Sequence, residues 1–95
     1  MARASIGTTV VAESSRVVIV EGSKYFPPAD VRKDLLTVGT RQYTCPWKGK
    51  ATYWDIQAGD KTYPNAAWSY EAPKDAAKNI TGHVAFDTSV VTVGK

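Results

Sequence analysis

The sequence predicts a mainly β fold: a single compact antiparallel domain, a small sandwich or partly open barrel, with one short helix near residues 28–36. Three observations carry this. Short runs rich in Val, Ile, Thr, Tyr and Trp recur along the chain, residues 16–21 and 51–56 among them. Gly, Pro, Asn and Asp punctuate those runs every few residues. Helical spacing is found in only one place of any length, residues 29–36, which is too little helix for a parallel sheet with crossovers.

Taken in order, residues 8–13 and 16–21 read as two β-branched strands around Ser14-Ser15, a hairpin candidate. Gly22-Ser23 turns the chain into an extended piece, residues 24–26. Pro27 biases Phe26 toward extended geometry, and Pro28 suits the first turn of a helix. The helix expected over 29–36 places Val31 and Leu35 on one face, with Asp30 serving its first turn electrostatically. In residues 41–47 alternation puts Tyr43, Cys45 and Trp47 on one side. Gly49 breaks that run. Residues 51–57 and 61–63 then form a hairpin around Ala58-Gly59-Asp60, and Pro64-Asn65 starts a further connection. Residues 66–70 make a short strand with Trp68 and Tyr70 sharing a face and Ser69 opposite. One helical turn follows Pro73. Val84 and Phe86 point inward from a strand at 83–87, and residues 90–93 close the sheet.

The 95 residues make one domain, 1–95, with its core from about 8 to 94. A chain of this size buries roughly 60–70% of its unfolded surface. The apolar fraction of 43% and charged fraction of 22% are globular values. No apolar run approaches the roughly 20 residues that span a bilayer, and residues 1–7 lack the apolar centre of a signal peptide. A soluble cytoplasmic protein is expected. One cysteine forms no internal disulfide, and one Cys with one His supplies too few ligands for a structural zinc site. The net charge of +3 is spread without a basic run, so neither a nucleic-acid surface nor a membrane surface is expected.

The densest chemistry lies in residues 44–54. They hold the sole cysteine and two of the three tryptophans. The run Cys45-Pro46-Trp47-Lys48-Gly49-x-Ala51-x-Tyr53-Trp54 resembles the Cys-Pro-aromatic-Lys-Gly signature of a small bacterial and fungal domain family of unknown function, labelled nucleotidyltransferase-like. Tyr25-Phe26-Pro27 with Asp30-Val31, the run 66–70 with Pro73, and Ile80-x-Gly82-x-Val84-Ala85-Phe86 extend the resemblance from about Arg16 onward. It implies a compact antiparallel β domain. His83 stands where the family often has Tyr, so the resemblance does not imply a histidine base.

Cys45 and Lys48 are the candidate catalytic residues. A thiolate needs a nearby cation, metal or helix N-terminus, and the bend at Pro46 can bring the Lys48 ammonium near the sulfur. The alternatives are a buried apolar cysteine and a solvated turn lysine. Tyr53, Trp68 and Tyr70 are the candidate ligand-binding residues, as rings able to stack on a planar ligand; their alternative is ordinary core filling. Nucleotidyl transfer finds no support in the residues. There is no Asp-x-Asp pair for Mg²⁺ and no Gly-rich phosphate loop. The expected function is a small-ligand-binding β domain with its pocket at the Cys45–Lys48 turn and Trp68/Tyr70. A thiol-dependent enzyme using Cys45 and a non-catalytic interaction module stand as alternatives. No metal or cofactor is expected, and the partner is an unknown small molecule.

Overall fold

The computed structural model describes residues 1–94 and contains nine strands among them. They are β1 (Ala2–Ile6), β2 (Thr9–Ser14), β3 (Val18–Val20), β4 (Ser23–Tyr25), β5 (Leu36–Cys45), β6 (Gly49–Ala58), β7 (Lys61–Ser69), β8 (Val84–Phe86) and β9 (Thr92–Gly94). They form three antiparallel sheets ordered β2-β1-β9, β3-β4 and β5-β6-β7-β8. Phe26 bridges to Val84, so the two-stranded ribbon continues the four-stranded sheet beyond β8.

The N-terminal pairing differs from the expected hairpin. β1 pairs with β2 across Gly7-Thr8, and β3 pairs with β4 across Glu21-Gly22. Two-residue hairpin turns need left-handed backbone. Gly7 (φ +59), Glu21 (φ +52) and Gly22 (φ +82) supply it, and Ser14-Ser15 does not. Ser14 is instead a buried junction. Its hydroxyl donates to Asp30 at 2.6 Å and accepts the Arg16 amide at 2.9 Å. Residues 2–6, outside the expected core, bring Ala2 and Ala4 into it.

The expected helix at 29–36 resolves into two single 3-10 turns, Pro28–Asp30 and Lys33–Leu35. Val31 between them is extended and bridges to Ala12, while the Arg32 amide donates to the Val11 carbonyl at 2.7 Å. Running along the free side of β2 outweighs two turns of α-helix, which are marginal alone. Asp30 holds this junction rather than a helix start: Arg16 reaches it at 3.1 Å beside Ser14.

Strand β7 runs unbroken through Pro64-Asn65, where a connection was expected. The ladder to β6 shifts register between Trp54 and Ile56, a bulge that accommodates both residues. Asn65 (φ +52) also mends a second irregularity. Between Val38 and Gln42, β5 leaves β6, and the Asn65 Oδ1 accepts the Thr40 and Arg41 amides at 3.1 Å each. Gly39 leaves room there, since a Cβ would press on the Asn65 and Asp55 side-chain oxygens and make them shift.

Alternation along β6, β7 and β8 divides the interior. Ile56, Ala67, Val84 and Phe86 face a first core that the β2-β1-β9 sheet covers with Ala4, Val11 and Ala12. Ala51, Tyr70 and Ala85 face a second core with Tyr25 and Cys45, closed by Ala77 and Ile80 of the 3-10 segment Asp75–Ile80. The fold is therefore mainly β, with two layers over the first core. No helix among the described residues is long and apolar enough to cross a membrane.

Four carboxyl groups sit below the ordinary carboxylate range. The Ser14 hydroxyl and then Arg16 lower Asp30, the Ser89 hydroxyl and then its amide lower Asp87, Arg32 lowers Asp34, and Lys48 and then Trp47 lower Glu21. A carboxyl with a depressed folded pKa adds stability above its unfolded pKa and loses it as pH falls through the folded one. Thermal unfolding is thus expected to be flat from about pH 7 to about pH 5 and to decline below about pH 4. Asp30→Asn is expected to flatten part of that decline. Circular dichroism melts across the range measure both.

Candidate functional site

The turn after β5 is built by Pro46, which ends the strand, and Gly49, which starts β6 at φ +112. This loop turns Lys48 inward. The Lys74 amide donates to the Lys48 carbonyl at 2.8 Å, and the Lys74 ammonium donates to the Pro46 carbonyl at 2.8 Å, tying the turn to the segment after β7. Lys48 is consequently 7% exposed, which rules out the alternative of a solvated turn lysine. Its ammonium donates to Glu21 Oε1 at 2.6 Å and lies 5.3 Å from the ring centroids of both Trp47 and Tyr70.

The five candidate residues converge. Cys45 and Tyr70 belong to the second core, Tyr53 and Trp68 pack against it, and Lys48 lies over the Tyr70 ring. Cross-strand register sets Tyr53 opposite Trp68, with centroids 6.1 Å apart and the planes tilted by 41°. Arg41 lies over the outer face of Tyr53 at 5.1 Å. The shared side that alternation predicted for Tyr43, Cys45 and Trp47 does not translate into shared burial. Cys45 is buried, whereas Tyr43, on the edge strand, and Trp47, past the strand end, are exposed.

Cys45 is 5% exposed, and the cation expected to serve its sulfur is engaged by Glu21 instead. Burial pulls the Lys48 pKa down, but the Glu21 hydrogen bond and the Tyr25 and Tyr70 phenols more than offset this, so the net shift is upward. Lys48 is therefore a permanent ammonium at neutral pH. Burial pushes the Tyr70 phenol up to about 12, against the opposing charge of Lys48, with Tyr25, Cys45 and Tyr53 near enough to add to the rise. Tyr70 is thus a neutral hydroxyl donor.

Partnering among these polar tips is uneven. The Trp68 indole donates to the Tyr25 hydroxyl at 3.1 Å. The Tyr70 hydroxyl has no hydrogen-bond partner among the described residues, although the residue is only 2% exposed. No fully buried side-chain nitrogen or oxygen among the described residues is left unpaired, so the Tyr70 oxygen keeps a sliver of contact with solvent. Among the described residues Lys48 has one hydrogen-bond acceptor for three N–H donors.

Two hollows flank the cluster. One of about 190 Å³ opens where β5 leaves β6 and is lined by Arg41, Gln42, Lys50 and Tyr53, so Tyr53 belongs to both hollow and cluster. The other, about 100 Å³, lies on the opposite face of the sheet among Lys33, Leu36, Trp54, Ser69, Glu71 and Val84. Ser69 is fully buried there, accepting the Trp54 indole N–H at 2.9 Å and donating to Glu71. Its placement opposite Trp68 and Tyr70 agrees with the alternation.

Sequence reasoning passed over Glu21, Tyr25 and this Trp54–Ser69–Glu71 chain. The Glu21-Gly22 pair carried a signal, because a glutamate before glycine at a hairpin turn is an unusual choice.

No curated protein matches the chain. A family model described as a domain of unknown function, DUF427, and carrying the name NTP_transf_9, matches residues 1–94. A match over that span, on a chain that folds as one small mainly β unit, means that the protein belongs to the DUF427 family, whose function is unknown.

Proposed function

We propose that the protein is a small-molecule-binding β domain whose site is the cluster of Lys48, Tyr70, Tyr53, Trp68 and Cys45, entered beside Tyr53. The observation that carries this reading is the Tyr70 hydroxyl: on a residue almost wholly enclosed, without a partner among the described residues, and beside an ammonium with unused donors. A buried polar group normally finds its hydrogen bond within the protein. A donor that forgoes one while keeping contact with solvent is suited to a ligand acceptor. The half-buried Tyr53–Trp68 pair adds apolar surface, and the hollow beside Tyr53 adds room.

A fragment screen by two-dimensional NMR tests this. The expected result is shifts grouped on Lys48, Tyr53, Trp68 and Tyr70. Shifts confined to Trp54, Ser69 and Glu71 would move the site to the opposite face and sink the assignment.

The second reading is thiol chemistry at Cys45, favoured by its place in the same cluster as Lys48 and Tyr70. Iodoacetamide labelling of the folded protein against pH decides it, and a thiol inert up to about pH 9 ends the idea.

A further inference from the structure

We propose that the cluster at Lys48 and Tyr70 recognises an oxyanion, the carboxylate or phosphate of a small organic molecule, and that Glu21 is the chain's own stand-in for it, a side chain that occupies the Lys48 ammonium until a ligand displaces it. This rests on the ligand-binding reading above and adds the ligand's chemical class and a gate.

Glu21 is bound as a ligand would be. Its two oxygens are taken by different donors, Oε1 by the Lys48 ammonium at 2.6 Å and Oε2 by the Trp47 indole N–H at 3.4 Å. The burial of the two partners is lopsided. The Lys48 side chain is 8% exposed and the Glu21 side chain 58%. Lys48 is held from below by the Tyr70 ring and by a turn pinned to Lys74. Glu21 stands on the tip of the β3–β4 hairpin, where a side-chain rotation returns its carboxylate to water. Leaving the buried Lys48 ammonium without a counter-charge is costly, whereas the exposed Glu21 carboxylate regains water readily, so Glu21 gives way as another anion takes its place on Lys48.

The turn itself gives an independent reason. Val20 pairs with Ser23, and both intervening residues have positive φ, the type I′ geometry that favours Asn-Gly. Glutamate at φ +52 is a poor local choice. A residue that breaks its turn rule and spends its side chain on a buried ammonium serves the site at the expense of the hairpin. The groups left to meet an incoming ligand are all donors: the Lys48 ammonium, the Trp47 indole N–H that Glu21 releases and the Tyr70 hydroxyl. That combination selects a charged oxygen acceptor over a neutral one.

Glu21→Asn is the decisive variant, because it installs the favoured turn residue while removing the carboxylate; Glu21→Asp, one methylene shorter, is the companion. Benzoate, phenyl phosphate, inorganic phosphate and neutral benzamide are titrated into the wild type and both variants, following the Trp47 indole and Tyr70 signals by NMR. Benzoate or phenyl phosphate is expected to bind about tenfold or more tightly to the variants than to the wild type, and benzamide to show no such gain. Benzoate and phenyl phosphate separate carboxylate from phosphate recognition, and inorganic phosphate shows whether the organic body is needed. Lys48→Met is expected to abolish the preference for the charged probes. Benzamide binding at Lys48 and Tyr70 as well as benzoate, with no response to Glu21→Asn, would overturn the gate and the oxyanion class while leaving the binding site standing. Absence of shifts at Trp47, Lys48 and Tyr70 with every probe and variant would remove the binding reading itself.

Discussion

Phe26→Ala is expected to destabilise the protein by about 3–5 kcal/mol, the range for emptying an aromatic side chain from a packed core. Phe26 is fully buried and meets Phe86 edge-on, with centroids 5.5 Å apart and planes at 76°. That geometry adds to the transfer free energy of the ring. Its backbone exchanges two hydrogen bonds with Val84, at 2.8 and 2.9 Å, and these join the β3–β4 ribbon to the main sheet. The variant keeps those bonds but leaves a void at the joint. For a domain whose total stability is on the order of 5–15 kcal/mol, the loss is a large share. Urea unfolding is the measurement: the midpoint should fall by at least about 1 M with the slope unchanged. A midpoint within about 0.3 M of wild type would show that the first core closes without this ring.

Gly49→Ala is expected to cost about 1–3 kcal/mol and to weaken any ligand binding at Lys48. The cause is conformational, not steric. A Cβ at this position would meet the Lys74 amide nitrogen at 3.5 Å and the Ala72 carbonyl oxygen at 3.7 Å, ordinary contacts. At φ +112, however, a side-chain-bearing residue is strained wherever it has room. Relief requires the turn to rotate, and Lys48 precedes it directly. The Lys48 ammonium would then leave its position between the Trp47 and Tyr70 rings. Two readouts separate the effects: thermal melting for the strain, and the Trp47 indole proton signal for the aim of the lysine. A loss of stability with an unmoved indole signal would show that the turn absorbs the change without disturbing Lys48.

Local rules recovered much of the candidate site. Alternation in β7 put Trp68 and Tyr70 on one side and Ser69 on the other, because a strand has no freedom about which residues share a face. The hairpin at Gly59-Asp60 followed from its turn residues. Where local rules competed with longer-range pairing, they lost. Residues 29–36 carry helical spacing, yet Val31 gives up that geometry to lie against β2. Pro64-Asn65 reads as a break, yet a bulge carries β7 through it. The neighbours that decide Lys48 are Glu21, 27 positions before it in the chain, and Tyr70, 22 positions after it. No window around the Cys45–Gly49 turn contains either.

By itself the sequence determined a mainly β domain, the faces of its well-patterned strands, and the set of side chains rich enough in chemistry to form a site. These depend on backbone geometry and residue type over a few positions. Tertiary structure alone decided that the lysine is buried and the glutamate exposed, and that the buried Tyr70 phenol has no partner among the described residues. Those outcomes depend on which distant strands are stacked together, and an ammonium takes its burial and its counter-charge from whatever the fold sets beside it.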